Sequence, residues 1–300
     1  MIEKNIEKLV TEALAVEAES AKEAGTLGYL ARAMVQATMP HRKLLETTHE
    51  RVNGDYHLTM MSPPSIGLPF GSVPRLMLAW IGAEVLRTRE REIVLGSSMS
   101  SFLRELGMVP TGGRWGTVTR LKEQSKRLFG CVITCTYTDD NHFANSEPFH
   151  VGKADLWWHS QTPEQLGIFE SRLQLSQTFY DEIISHSIPV DMRVLQALRK
   201  SPLALDIYAW TGYRIYTLNC SGRPSVTIPW PALQQQFGAS YPEDTAQGRR
   251  DFKKAFLREL CRVMAFCPQA RIDDTNAGLI IRRSPQHVSS RAARRAVDKY

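Results

Sequence analysis

The feature that most constrains this 300-residue chain is a pattern that occurs twice. A short helical segment stopped by glycine leads into a basic amphipathic helix, and that helix into an alternating, strand-like stretch with an aspartate-rich turn. The first copy runs from Ser101 to Gly107, through Thr111-Gly112-Gly113-Arg114-Trp115-Gly116 and a helix to Phe129, then Cys131 to Thr138 and the turn Asp139-Asp140-Asn141. The second runs from Ala232 to Gly238, through a helix from Ala246 to Phe266, then a hairpin from Ala270 to Arg282 whose tip holds Asp273-Asp274-Thr275-Asn276. Residue identity between the copies is low, so what repeats is order and length. One short match arises easily by chance, whereas agreement of five consecutive features does so far less readily. Helix, strand, helix, turn, helix and hairpin is the order of a winged helix-turn-helix.

The flanking segments extend both copies. Ahead of the first, Val73 to Arg87 reads as a helix with Pro74 in its first turn, and Glu92 to Gly96 as a short strand. Ser98 or Ser100 can cap the helix that follows. Ahead of the second, Val190 to Leu198 and Pro202 to Leu218 read as helices and Val226 to Ile228 as a strand. The second strand of the first hairpin is expected at Glu147 to Trp158, and Gln161 to His186 as a connector with two helical parts. The expected fold is therefore α+β: two tandem winged-helix domains joined by a helical connector, with a helical N-terminal arm and a basic C-terminal tail. The boundaries are 1–57 for the arm, 58–160 and 188–285 for the two domains, 161–187 for the connector and 286–300 for a disordered tail. Within the arm, Ile2 to Ala24 and Leu27 to Ala37 read as helical.

Charge narrows the function. The net charge is +6 and unevenly placed: residues 1–25 are rich in Glu, while the chain beyond Arg249 is strongly basic. That asymmetry favours a polyanionic partner for the later part. There is no long apolar run, signal-peptide pattern or lipidation motif, so a membrane is not the expected polyanion and a cytoplasmic location is expected. Five cysteines, an odd number without a paired Cys or His set, read as reduced thiols. His41, His49 and His57 lack neighbouring ligands and read as incidental surface residues.

The two basic helices carry the candidate chemistry. In the first, Val118, Leu121, Ser125, Leu128 and Phe129 share one side, and Arg120, Lys122, Lys126 and Arg127 share the other with Thr117, Thr119 and Gln124. With Arg114 ahead of them, these residues can reach both phosphates and base edges. Gly112 and Gly113 would leave helix N-terminal amides open to a phosphate. In the second, Arg250, Lys254, Arg258 and Arg262 recur every fourth residue and form a stripe, flanked by Arg249 and Lys253. Stacked cations repel by a few tenths of a kcal/mol per adjacent pair, roughly the inverse of a favourable ion pair. Asp251 and Glu259 give partial relief, so a phosphate backbone is the expected partner. The mixed first helix suits sequence reading and the cationic second suits gripping the backbone.

Catalytic alternatives are thin. Gly152-Lys153-Ala154 lacks the upstream glycine and the hydroxyl of a P-loop, and no His-x-His pair accompanies Tyr180 or Tyr208 as a strand-nicking enzyme would need. No catalytic residue, metal or cofactor is expected. Asp139-Asp140 and Asp273-Asp274 read as turn formers.

Three stretches, Leu68 to Trp80, Ser101 to Gly107 and above all Thr111-Gly112-Gly113-Arg114-Trp115-Gly116 with its following helix, resemble the plasmid-encoded RepA-type replication initiators. The resemblance spans roughly residues 58–285. It implies a protein that binds repeated double-stranded sites (iterons) at a plasmid origin, engages host replication factors such as the helicase or its loader, and exchanges between monomer and homodimer. A transcriptional repressor without an initiator role is the alternative within the binding class, and a DNA-nicking enzyme the alternative outside it.

Overall fold

The computed structural model describes residues 2–95, 98–156, 171–238 and 241–288. Helix α1 (Ile2–Ala18) ends earlier than its periodicity implies, and the chain turns at Gly25 into strand β1 (Leu27–Ala31) and the short helix α2 (Arg32–Gln36). The helix expected over Leu27 to Ala37 is thus replaced in its first half by a strand, and only Arg32–Gln36 is helical. The reason is non-local: strand β10 (Ser187–Asp191) offers β1 an antiparallel partner, with Leu27 opposite Asp191 and Ala31 opposite Ser187. Residues 27–57 of the expected arm are built into the fold. Strand β2 (Thr48–Asn53) pairs through a two-residue loop with β3 (Tyr56–Met61), a hairpin that the Asn53-Gly54 pair encodes because Gly54 takes a positive φ of 60°.

Helix α3 (Ser72–Thr88) follows, closed by a backbone N–H of Arg89 donating to the Val85 carbonyl. Strand β4 (Glu92–Val94) leads to α4 (Met99–Glu105), whose N-terminus is capped by the Ser98 hydroxyl accepting from the Ser101 amide. Helix α5 (Thr117–Phe129) packs on α3 and α4. Then come β5 (Val132–Thr138), β6 (Phe143–Asn145), β7 (Phe149–His150), β8 (Gly152–Asp155) and β9 (Arg172–Leu175).

The expected first hairpin needs correction. Strand β5 does not pair with β8. It joins β3 on one side and β6 and β7 on the other, in a sheet ordered β2-β3-β5-β6. The strands beside β4 are β8 and β9, in the order β4-β9-β8. Alternation told that Val132 to Thr138 was a strand but not which neighbour would bond to it, because pairing partners are set by tertiary contacts. Residues 157 and 158 of the expected second strand, and 161–170 of the expected connector, lie outside the described residues. The rest of that connector is half strand: Arg172–Leu175 is β9, and only α6 (Gln177–His186) is helical.

After β10, helix α7 (Met192–Leu198) begins two residues later than its pattern implies, capped by Asp191, whose carboxylate accepts from the Arg193 amide. Helix α8 (Pro202–Ser221) starts on the Ser201 cap with proline in its first turn and ends on Gly222 at φ 73°. Strand β11 (Ser225–Pro229), helix α9 (Trp230–Phe237), helix α10 (Ala246–Met264) and strands β12 (Arg271–Asp274) and β13 (Gly278–Arg282) complete the described chain. The sheet order is β11-β13-β12.

The duplication is therefore deeper than the sequence pattern. The run α3, β4, α4, α5, β8, β9 matches α8, β11, α9, α10, β12, β13, and each three-stranded antiparallel sheet has the order first, third, second. Upstream, α1, β1, α2 match α6, β10, α7, and β1 and β10 pair with each other at the junction of the halves. The β2-β3-β5-β6 sheet has no counterpart among the described residues of the second half. A consequence is that Asp139-Asp140-Asn141 and Asp273-Asp274, aligned by eye in sequence, are not equivalent in topology.

Besides the β1–β10 ladder, apolar packing and a buried ionic cluster join the halves. Apolar packing is continuous, and in the second half Trp210, Phe237, Phe252 and Phe256 meet edge-on with centroids 5.4–6.3 Å apart. Within it lies a buried ionic cluster linking α3 to α8. The Arg75 guanidinium donates from Nε and Nη2 to the two Asp206 carboxylate oxygens at 2.6 and 2.7 Å and also reaches the carbonyls of Met39, Pro40 and Gly71. His41 Nε2 lies 2.8 Å from Asp206 Oδ2. Burial pushes the Asp206 pKa up, but Arg75 and His41 more than offset it and hold it below the usual value. His49 is also buried, with Nε2 3.0 Å from the Thr38 carbonyl. The expectation of incidental surface histidines is wrong for both. Of the three, only His57, 3.4 Å from Glu50, sits toward solvent.

Candidate nucleic-acid interface

Helices α5 and α10 occupy the same place in the duplicated order, each following a shorter helix across a turn and packed on the helix before the first sheet strand. Each buries one side and turns the other outward. In α5 the buried side holds Leu121, Leu128 and Phe129; in α10 it holds Phe252, Phe256, Leu260 and Val263. The outward sides hold the cations.

The structure sorts the residues anticipated on α5 into two groups. Arg120 and Lys126 are exposed, Lys122 is half-buried, and Arg114 is exposed just ahead of the helix. Gln124 and Arg127 do not belong to this surface: they are 4% and 8% exposed. Gln124 Oε1 accepts from the Phe70 amide at 2.9 Å. Arg127 donates to the Leu68 carbonyl and to Glu123 Oε1, with its guanidinium carbon 5.4 Å from the Phe70 ring centre. Both clamp the extended Leu68–Phe70 segment onto α5, so a polar arc on a helical wheel contained two residues that bond inward. Backbone carbonyls and amides from distant segments do not show in periodicity.

Thr117 and Thr119 are also committed to the protein. Thr117 Oγ1 accepts from the Thr111 amide at 2.8 Å and donates to the Val109 carbonyl at 2.7 Å, while the Thr117 amide donates to Thr111 Oγ1. Thr119 Oγ1 donates to the Gly113 carbonyl at 2.8 Å. The expected open amides at the start of α5 are filled in the same way: the Val118 amide donates to the Thr111 carbonyl and the Gly116 amide to the Gly113 carbonyl. Gly112 and Gly113 thus build a closed turn rather than a phosphate seat.

On α10, Arg249, Arg250, Lys254 and Arg258 are exposed. The stripe is less repulsive than its spacing implies. Glu259 is buried and accepts from Arg258 Nε at 2.9 Å and from Arg262 Nη1 at 2.6 Å, which turns Arg262 partly inward. Lys253 reaches the turn between β12 and β13, donating to the Thr275 carbonyl at 3.1 Å with Nζ 4.6 Å from the Trp230 ring centre. It fixes the hairpin to the helix rather than facing outward.

Sequence reasoning missed Trp115 and Arg271, and read Arg282 and Arg283 as the start of a basic tail with sequence-independent affinity. Trp115 is 80% exposed beside Arg114, and Arg271, Arg282 and Arg283 lie exposed on the hairpin next to α10. The hairpin arginines were legible as cations flanking an alternating segment; nothing in the pattern told Trp115 from a core tryptophan. Among the described residues, no group of three or more His, Cys, Asp or Glu could hold a metal ion, and no helix is long and apolar enough to cross a membrane.

Comparison with known proteins bears on the fold and the family. The chain is similar in fold to the crystal structure of domains 2 and 3 of RctB, at a TM-score of 0.53 and 11% sequence identity, over 85% of this chain and 96% of that one. A search of curated proteins gave no significant match. Residues 68–232, more than half of the chain, match the family described as plasmid encoded RepA protein. That match contains the Leu68–Phe70 clamp, the Thr111 to Gly116 turn, helix α5 and the Arg75–Asp206 pair, and by it the chain belongs to the plasmid-encoded RepA family of plasmid replication proteins.

Proposed function

We propose that this protein initiates plasmid replication by binding repeated double-stranded sites at the origin, with α5 and α10 entering successive major grooves. The observation that carries this reading is the duplicated order ending in two helices whose outward faces are cationic, Arg114, Arg120 and Lys126 on one and Arg249, Arg250, Lys254 and Arg258 on the other. The shared sheet order supports reading each half as a winged helix-turn-helix, with β8–β9 and β12–β13 as the wings. On this reading the units span 2–175 and 177–288, wider than sequence patterning alone places them. Exposed arginines of the second wing lie where a wing meets the adjacent phosphate backbone. Recruitment of host replication factors and exchange between monomer and homodimer belong to the same reading.

The test is binding to duplexes from the plasmid's own origin by wild type, Arg120→Ala and Lys254→Ala. Each loss of a phosphate contact weakens binding and reduces the salt dependence of affinity. Wild-type affinity in both folded variants would remove α5 and α10 from the interface. Unchanged retention of random duplex over origin duplex would remove the sequence-specific part.

A further inference from the structure

The Thr111 to Gly116 block forms a turn in which the hydroxyls of Thr111, Thr117 and Thr119 all bond within the protein. Gly113 holds a φ of 82°, and a Cβ at Gly116 would lie 2.3 Å from the carbonyl oxygens of Thr111 and Gly112, so the turn admits few other sequences. The large apolar side chains exposed at this turn and just ahead of it are Trp115 at 80% and Val109 at 72%. The Arg114 guanidinium carbon stands 5.1 Å from the Trp115 ring centre, and Arg120 Nη2 reaches the Trp115 carbonyl. The indole thus lies at the start of α5 against one cation, and a second cation bonds the backbone of the same residue.

We propose that Trp115 reads a thymine in the origin site through the thymine C5-methyl group. This rests on the reading of α5 as a major-groove helix. The residues that touch base edges from such a helix come from its N-terminal end. Of all the groups displayed in the major groove, the thymine methyl is the one apolar feature, and aromatic or methyl-bearing side chains are its partners. A protein partner is the other class that takes exposed tryptophan. The cations Arg114 and Arg120 beside this residue, and Lys126 exposed farther along α5, favour a polyanion. Arg114, stacked on the indole, is then placed to take the guanine edge or phosphate beside that thymine.

The experiment is a deoxyuridine scan of one origin repeat, in which each thymine in turn loses only its methyl, with wild type, Trp115→Ala, Trp115→Phe and Arg120→Ala. Wild type is expected to lose about fourfold in affinity at one position, the worth of one buried methyl. Trp115→Ala is expected to bind the unmodified repeat about tenfold more weakly, as at other tryptophan anchors, and to be indifferent to that substitution. Its salt dependence should equal that of wild type because no charge is lost. Trp115→Phe should keep the deoxyuridine sensitivity. Because the side chain is exposed, the unfolding midpoint of Trp115→Ala should match wild type. The proposal is overturned if every deoxyuridine is tolerated by wild type, if the sensitivity persists in Trp115→Ala, or if Trp115→Ala binds normally yet fails to support replication, which would assign the ring to a protein partner. Failure of wild type to prefer the origin repeat over random duplex would instead overturn the sequence-specific part of the DNA-binding reading itself.

Discussion

Replacing Asp206 with alanine tests how the two halves are held. The Asp206 carboxylate accepts two hydrogen bonds from Arg75 and one from His41, all in the interior between α3 and α8. Removing it leaves a guanidinium that is 4% exposed with the carbonyls of Met39, Pro40 and Gly71 but no counter-charge. Breaking a buried pair from one side costs about 3–5 kcal/mol, and the three remaining carbonyls place this case toward the lower figure. Replacing both partners together, Arg75→Met with Asp206→Leu, removes both desolvation penalties and is expected to recover at least about 2 kcal/mol of that loss. Burial holds the His41 pKa below its usual value and the Arg75 cation adds to that, so Arg75→Met alone, which leaves Asp206 facing His41, should raise it, visible in its imidazole proton shift. Urea denaturation followed by circular dichroism supplies the stabilities. A loss under about 1 kcal/mol in Asp206→Ala, or a double variant no more stable than the single, would refute the view that this cluster is a buried lock of mutually compensated charges.

Three other outcomes follow from the geometry. Burial and the nearby Arg51 bring the His49 pKa down to about 4, so folding favours its neutral form. This contribution is complete above the ordinary value near 6.5 and is lost as pH falls from there toward 4, by up to about 3 kcal/mol; His49→Gln should flatten urea midpoints measured across that window. Arg127→Met should lower stability by about 1–3 kcal/mol through the lost Leu68 and Glu123 bonds, yet leave the salt dependence of DNA affinity unchanged, the reverse of Lys126→Ala. Gly116→Ala should disrupt the turn and weaken origin binding in gel-shift titrations, because its Cβ meets backbone, whereas Gly112→Ala, with nothing within 4 Å, should bind as wild type.

Much of the second half was legible. Ser201-Pro202 opens α8, Gly238 closes α9 and Thr245 caps α10, and each of these signals acts locally on the backbone. The first half was harder because its inserted sheet interrupts the order. Strand β5 carries clear alternation, yet its ladder partners Tyr56–Met61 lie some seventy residues upstream, and loop closure over that distance leaves no local mark. The same limit hid β1, whose partner is β10. On the candidate surface, periodicity located the outward arcs of α5 and α10 but not the inward bonds of Gln124, Arg127 and Lys253, which depend on Phe70, Leu68 and Thr275. Asn53-Gly54 was a readable hairpin signal, and it marks residues 48–61 as sheet rather than arm.

The central claim is that α5 and α10 each grip DNA with their exposed cations. The measurement that tests it most directly is the slope of log affinity against log salt for an origin repeat, in wild type, Arg120→Ala, Lys254→Ala and the pair combined. Each substitution is expected to reduce the slope by about 0.9, and the two together by about 1.8, as one phosphate contact is lost from each helix. A slope that stays at the wild-type value in all three folded variants would contradict the account.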